Sequence, residues 1–371
     1  MGSTGSAIIA TRADPIRANL VMRERLLIAL LSFLPTVAGA QWTSAALGTD
    51  AELRGLSAAG SSVIWASGTR GRYVRSIDGG RSWRVDSVPF AGSLDFRAVH
   101  ALDARRAWLM SAGDADKGQA RIYRTTDAGA HWSLVYQTAQ RGVFLDAVQF
   151  WDAQHGIAIS DPVDGRFFVL TTNDGGGSWS RVPPERLPAI LPGEAAFAAS
   201  GSCLTVEGET NVWIGTGGGA TARVFHSPDR GRTWTVTETP IHAGTASSGI
   251  FSLAFRDGRH GVAVGGDYQM VRGGLPNVVL TDDGGRTWRV AKGPLPIGYL
   301  SSASYIPGSS SVVAVGLAGT AFSSDNGETW RMVDSTAYNS VRFEAPNAGW
   351  AVGPKGRLAR WAGLVSLRIA K

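Results

Sequence analysis

One eight-residue pattern, [Ser/Thr]-x-Asp-x-Gly-x-x-Trp, occurs six times in this chain and restricts its fold more than any other feature. The copies run from Ser76 to Trp83, Thr125 to Trp132, Thr172 to Trp179, Ser227 to Trp234, Thr281 to Trp288 and Ser323 to Trp330. Asp-Gly pairs between strand formers signal tight hairpins, because glycine takes positive φ without steric cost. The aspartates (Asp78, Asp127, Asp174, Asp229, Asp283, Asp325) can accept backbone N–H bonds inside such a turn, helped by the Ser or Thr hydroxyl. The tryptophans (Trp83, Trp132, Trp179, Trp234, Trp288, Trp330) open the next strand, where each ring can bury roughly 150 to 250 Å².

Those tryptophans recur with a mean spacing of about 49 residues, which suits a unit of four strands. A second element repeats seven times: Ile64 to Ser67, Ala107 to Met110, Gly156 to Ile159, Val212 to Gly215, Gly261 to Val264, Val312 to Val315 and Gly349 to Val352. Each reads as a short buried strand before a loop. Seven such strands against six turn motifs leave one unit short of its outermost strand. Gln41 to Ala45, carrying Trp42, is the segment expected to supply it, beside Gly356 to Trp361. Joining the two ends in this way removes exposed sheet edges. The fold expected is therefore all-β: a seven-bladed β-propeller of four-stranded antiparallel blades over residues 41–371, closed by its N-terminal strand.

The motif resembles the Asp box of the bacterial neuraminidase repeat, which in that family sits between the third and fourth strands of a propeller blade. The resemblance implies that the six aspartates and six tryptophans are structural and lie away from an active face. The chain after residue 40 also resembles the photosystem II stability and assembly factor family, in blades that read like Phe251 to Gly265 followed by a box. That likeness implies a non-catalytic, protein-binding assembly scaffold, lumenal in a photosynthetic organism and exported elsewhere.

The N-terminal region has the parts of a secretory leader: Met22-Arg23-Glu24-Arg25, an apolar run from Leu26 to Leu34, then Ala38-Gly39-Ala40. Cleavage is expected after Ala40, with Met22 as the true start, and the apolar run is too short to span a bilayer comfortably. The expected destination is the periplasm or the exterior, with no transmembrane segment in the mature chain. The 32 basic and 28 acidic residues that follow leave +4 and form no basic run, which argues against nucleic acid. Cys203 is the only cysteine, so no disulfide forms, and it reads as a small buried residue rather than a thiol nucleophile. A closed ring has no free edge, so a monomer is expected.

With strands lettered A to D from the axis outward, the A–B and C–D turns share one face and the B–C and D–A loops share the other. His155 and His260 precede B strands and read as turn residues on the first face. The second face carries the length variation: blades two to five have enlarged B–C loops, and the longest D–A connection runs from Val182 to Ala199. Loops on a rigid scaffold carry function. Candidates there are Asp161, Asp164, Arg166, Glu194, Arg223, Asp267, Tyr268 and Arg272, with Arg97 and Tyr299 expected to face the central channel. Each also has a plain reading as a solvated loop charge or turn former; Asp161-Pro162 and Asp164-Gly165 are turn dipeptides in their own right.

Other readings are weaker. A glycoside hydrolase of the sialidase-like type, or a carbohydrate-binding propeller, is the alternative. As an enzyme it would draw its paired carboxylates from Asp161, Asp164, Glu194 and Asp267, but a sialidase-type Arg-Ile-Pro segment is missing. A quinone-dependent dehydrogenase ranks lower still. Gly215 to Ala220 matches a dinucleotide fingerprint, yet a strand follows where the mechanism needs a helix. The six histidines form no spaced pair, so neither a metal nor a cofactor is expected. The partner expected is a protein, with a glycan under the alternative.

Overall fold

A computed structural model describes residues 1–2, 41–273, 276–296 and 298–363. The leader reading of residues 1–40 therefore lies almost wholly outside the described residues. From residue 41 the chain builds seven antiparallel sheets of four strands each. The A strands are Leu53–Ala59, Asp95–Ala101, Leu145–Phe150, Leu204–Glu207, Ser248–Phe255, Ser302–Tyr305 and Ser340–Ala345. Each packs against the next, and the seventh against the first, so they form a closed circuit around a central channel. Every one of the seven recurrent buried segments is the B strand of its blade.

Blade seven is composite, as the repeat count requires. Strand Trp42–Ala45 pairs antiparallel with Leu358–Trp361, with Trp42 opposite Trp361. The two indole rings meet edge to face at 4.9 Å, and Trp42 Nε1 donates to Thr320 Oγ1 of blade six at 2.9 Å. The N-terminal strand thus belongs to two blades at once. Nearer the axis, blades are stitched by serine hydroxyls: Ser252 Oγ accepts from Ala303 N at 3.0 Å, and Ser302 Oγ from Val341 N at 3.2 Å. Side-chain acceptors satisfy buried donors there without disturbing either sheet.

All six motifs fold alike between strands C and D. Thr281 Oγ1 donates to Asp283 Oδ1 at 2.8 Å and accepts from Gly285 N at 2.8 Å, while Asp283 Oδ1 accepts from Thr287 N at 3.0 Å. The positive-φ positions are the fourth and fifth, and the fourth is not glycine in Ala128 (φ 69°), Arg230 (φ 59°) and Asn326 (φ 59°). An Asp-Gly dipeptide is thus not what the turn requires. The fifth position is glycine in all six, and at Gly80 (φ 81°) the packing requires it: a Cβ would lie 2.1 Å from the Trp350 ring of blade seven. The motif is a corner inside one blade and a contact surface for its neighbour.

Each corner also donates to the A–B turn of its own blade, as in Gly79 N to Ser62 O and Asn326 N to Ser310 O, both at 2.9 Å. The corners and A–B turns therefore share a face. His155 and His260 lie on it, bonded to Asp152 and Asp257 of their own turns. Among the described residues no helix is long and apolar enough to cross a membrane, which says nothing of a β-barrel.

Candidate functional site: the mouth of the central channel

On the opposite face four A strands share an irregularity. Register shifts between Leu53 and Gly55, Phe96 and Ala98, Leu145 and Ala147, and Ile250 and Ser252 leave Arg54, Arg97, Asp146 and Phe251 as the extra residues of β-bulges. A bulge bends its strand and re-aims a side chain. All four extra residues line one cavity of about 390 Å³ at the channel mouth. The sequence places a charge or a large ring at each bulge, and the bulge turns it toward the axis.

One side of the cavity is aromatic. Phe197 stacks on Phe251 with centroids 4.0 Å apart, Tyr299 meets Phe251 edge-on at 4.7 Å, and Tyr268 stands over both. Phe251 and Tyr299 are buried, but Tyr268 is 45% exposed and forms the outer rim. Burial pushes the Tyr299 hydroxyl up. It is not an acid at neutral pH.

The other side is charged, and most of the charge is internally matched. Arg54 pairs with Glu52 at 2.5 Å and Arg97 with Asp95 at 2.7 Å, and their guanidinium groups also donate to Ala199 O and Ala198 O of the long D–A connection. Asp146 is different: it is 1% exposed, and its carboxylate has no well-formed hydrogen bond, only the weaker pull of the Asp161 and Ala198 backbone N–H groups. Asp161, next to the strand partner of Leu145, accepts one bond from Ala196 N at 3.1 Å. Burial first and the neighbouring Asp161 charge second raise the Asp146 carboxyl well above its ordinary value, with Arg97 opposing. Burial likewise raises Asp161 to about 6. Two carboxyls in one dry corner oppose each other's ionisation.

Of the residues singled out from sequence, Arg97, Asp161, Tyr268 and Tyr299 line this cavity. The others do not. Glu194 and Arg223 are spent on each other: Arg223 Nε donates to Glu194 Oε1 at 2.9 Å, Arg223 Nη2 meets Glu194 Oε2, and Thr216 Oγ1 donates to Glu194 Oε1 at 2.7 Å. With the Glu194 side chain fully buried, this pair clamps the connection onto blade four. Asp267 caps its own loop by accepting from Gln269 N at 2.9 Å. Asp164 takes φ 55° in the exposed hairpin tip, beside Arg166, which donates to Gly165 O. Arg272 is exposed on the B–C loop of blade five. Cys203 is buried and its thiol pushed up by that burial, so it is no nucleophile.

The false dinucleotide match has a packing reason. Gly217 bridges to Ala195 of the long connection and to Gly249 of blade five, and a Cβ there would lie 2.6 Å from the Phe197 ring. The glycines admit a peptide chain rather than a phosphate. Sequence reasoning missed Asp146, Arg54, Phe197 and Phe251. The available signal was an acid inside the apolar run Leu145-Asp146-Ala147-Val148.

No family model and no curated protein matches the chain. Solved structures do. YCF48 bound to a D1 peptide superposes with TM-score 0.61 at 17% identity, covering 90% of this chain and 100% of that one. YCF48 from Cyanidioschyzon merolae gives 0.61 at 19% identity over 87% and 98% of the two chains. The GH74 xyloglucanase of Xanthomonas campestris gives 0.58 at 16% identity, covering 88% of this chain and 54% of that enzyme. At such identities the likeness is one of fold: a propeller of the kind seen in the photosystem II assembly factor YCF48.

Proposed function

We propose that this protein is a non-catalytic propeller scaffold that holds a segment of a partner protein across the channel mouth. The observation that carries the reading is the cavity itself: aromatic on one side, charged on the other, and built by four bulges whose effect is to turn side chains into it. A propeller of the same fold binds a peptide. We propose further that residues 1–40 are a leader removed after Ala40, that residues 41–371 act as one propeller, and that the mature protein works as an exported monomer. N-terminal sequencing of envelope material and its elution volume check those points.

The test of the scaffold reading is peptide display against the immobilised protein. Enriched peptides are expected to lose at least tenfold in affinity against Tyr268→Ala combined with Leu317→Asp, two exposed rim changes. Peptides that bind this variant as they bind wild type would refute the assignment of the face.

A second reading rests on one observation: Asp146 and Asp161 are two carboxyls with raised proton affinity at one cavity, as a general acid needs. It predicts turnover of a β-glucan or sialoside that Asp161→Asn abolishes. Absence of turnover over a panel of both removes it.

A further inference from the structure

Most charges at the channel mouth have a partner, and two do not. Glu52 is matched by Arg54 and Asp95 by Arg97, both through direct contacts. Asp146 and Asp161 then remain as two acids at the cavity with no cation bonded to either. Arg97 is within electrostatic reach of Asp146 but spends its hydrogen bonds on Asp95 and on Ala198 O. A buried carboxylate with no side-chain partner and only weak backbone contacts is costly to ionise unless a partner arrives. That cost is the mark of a site shaped for something absent from the chain itself. The cavity also presents the faces and edges of Phe197, Phe251 and Tyr268, and aromatic rings attract organic cations. A metal ion fits less well, because among the described residues no group of three His, Cys, Asp or Glu side chains is placed to hold one.

We infer that the channel mouth takes a cationic side chain of the partner polypeptide, a lysine ammonium or an arginine guanidinium, with Asp146 and Asp161 as its counter-charges and the three rings as its wall. The inference rests on the scaffold reading and specifies what the held segment must contain. The side chain enters along the axis, over the rim formed by Tyr268. Its donors meet the oxygens of Asp146, to which no side chain of the propeller is hydrogen-bonded. The rings cover its alkyl stem, as apolar surfaces do for long basic side chains elsewhere.

Titration calorimetry with N-acetyl-arginine amide, N-acetyl-lysine amide and the neutral isostere N-acetyl-citrulline amide tests this directly, with cadaverine as a free diamine. At least one basic amide is expected to bind, the citrulline amide at least tenfold more weakly, and Asp146→Asn and Asp161→Asn each to weaken the basic amide at least tenfold. Citrulline binding equal to arginine overturns the inference without reliance on any variant. So does unchanged binding in both Asn variants, and so does cadaverine binding while neither basic amide binds. The display peptides separate this inference from the reading beneath it. Peptides that need the Tyr268 rim but carry no lysine or arginine refute the cation and leave the scaffold standing. No rim-dependent peptide at all removes the scaffold reading, whatever the amides do.

Discussion

The same carboxyl side chain behaves in opposite ways at Asp161 and Asp174. Asp174 accepts from Ser178 N, Ser178 Oγ and Thr172 Oγ1, and these bonds hold it at about 2. Asp161 has one such bond against heavy burial and is raised to about 6. Its folded-state proton affinity exceeds that of the unfolded chain, so its contribution is fully present below about pH 4 and is lost as the pH rises through about 6. Asp161→Asn removes the charge and keeps an acceptor for Ala196 N. It is expected to stabilise the protein by about 1 to 3 kcal/mol near pH 7 and by little near pH 4, read by urea denaturation at both. Glu194 makes the contrary case. Glu194→Gln leaves Arg223 charged and buried, at an expected cost of about 3 to 5 kcal/mol, whereas Glu194→Gln with Arg223→Met recovers most of it; thermal melts of the two variants beside the wild type decide. Both residues were legible as charged loop-face positions. Their pairing was not, because sequence carries no sign that a connection folds back over the next blade.

At the scale of the element, the corner motif was legible as a turn and illegible as a joint. The spacing of Ser, Asp, Gly and Trp fixes the hydrogen bonds within one blade, but the reason for the fifth-position glycine lies in Trp350, on the neighbouring blade. Two alanine substitutions separate these effects. Gly60 and Gly80 both have positive φ, yet a Cβ at Gly60 meets nothing within 4 Å. Gly60→Ala is expected to cost about 1 kcal/mol and Gly80→Ala about 2 to 3 more, measured by chemical denaturation. The bulges of the A strands were likewise hidden. Alternation of buried and exposed positions predicts a regular strand, and only pairing with strand B shows which residue is extra. Arg97 was found because it is a charge near a strand start. Arg54 and Asp146 occupy the same place in their own blades and were found only in the structure.

For the whole molecule, the repeat count gave seven blades and the ring closure because each unit announces its own turn, while the depth and lining of the mouth depend on contacts that no single unit encodes. The corners also act together in acid. Their aspartates are depressed, Asp127 and Asp174 to about 2, so the stability they lend is present above about pH 4 and is lost as the pH falls toward about 2. A steep acid transition in that window, followed by circular dichroism, is expected, and a flat response would show that the corners do not hold the ring. Removing residues 41–45 strips the outer strand from blade seven and is expected to lower the melting temperature and give higher oligomers on a sizing column. The pairing of Trp42 with Trp361 has a temporal side as well. A strand made before the other six blades must wait for one made after them, so the circle stays incomplete while those six blades are already present. Through that interval the nascent propeller shows two sticky borders, which have to be kept apart until the strand Leu358–Trp361 is made.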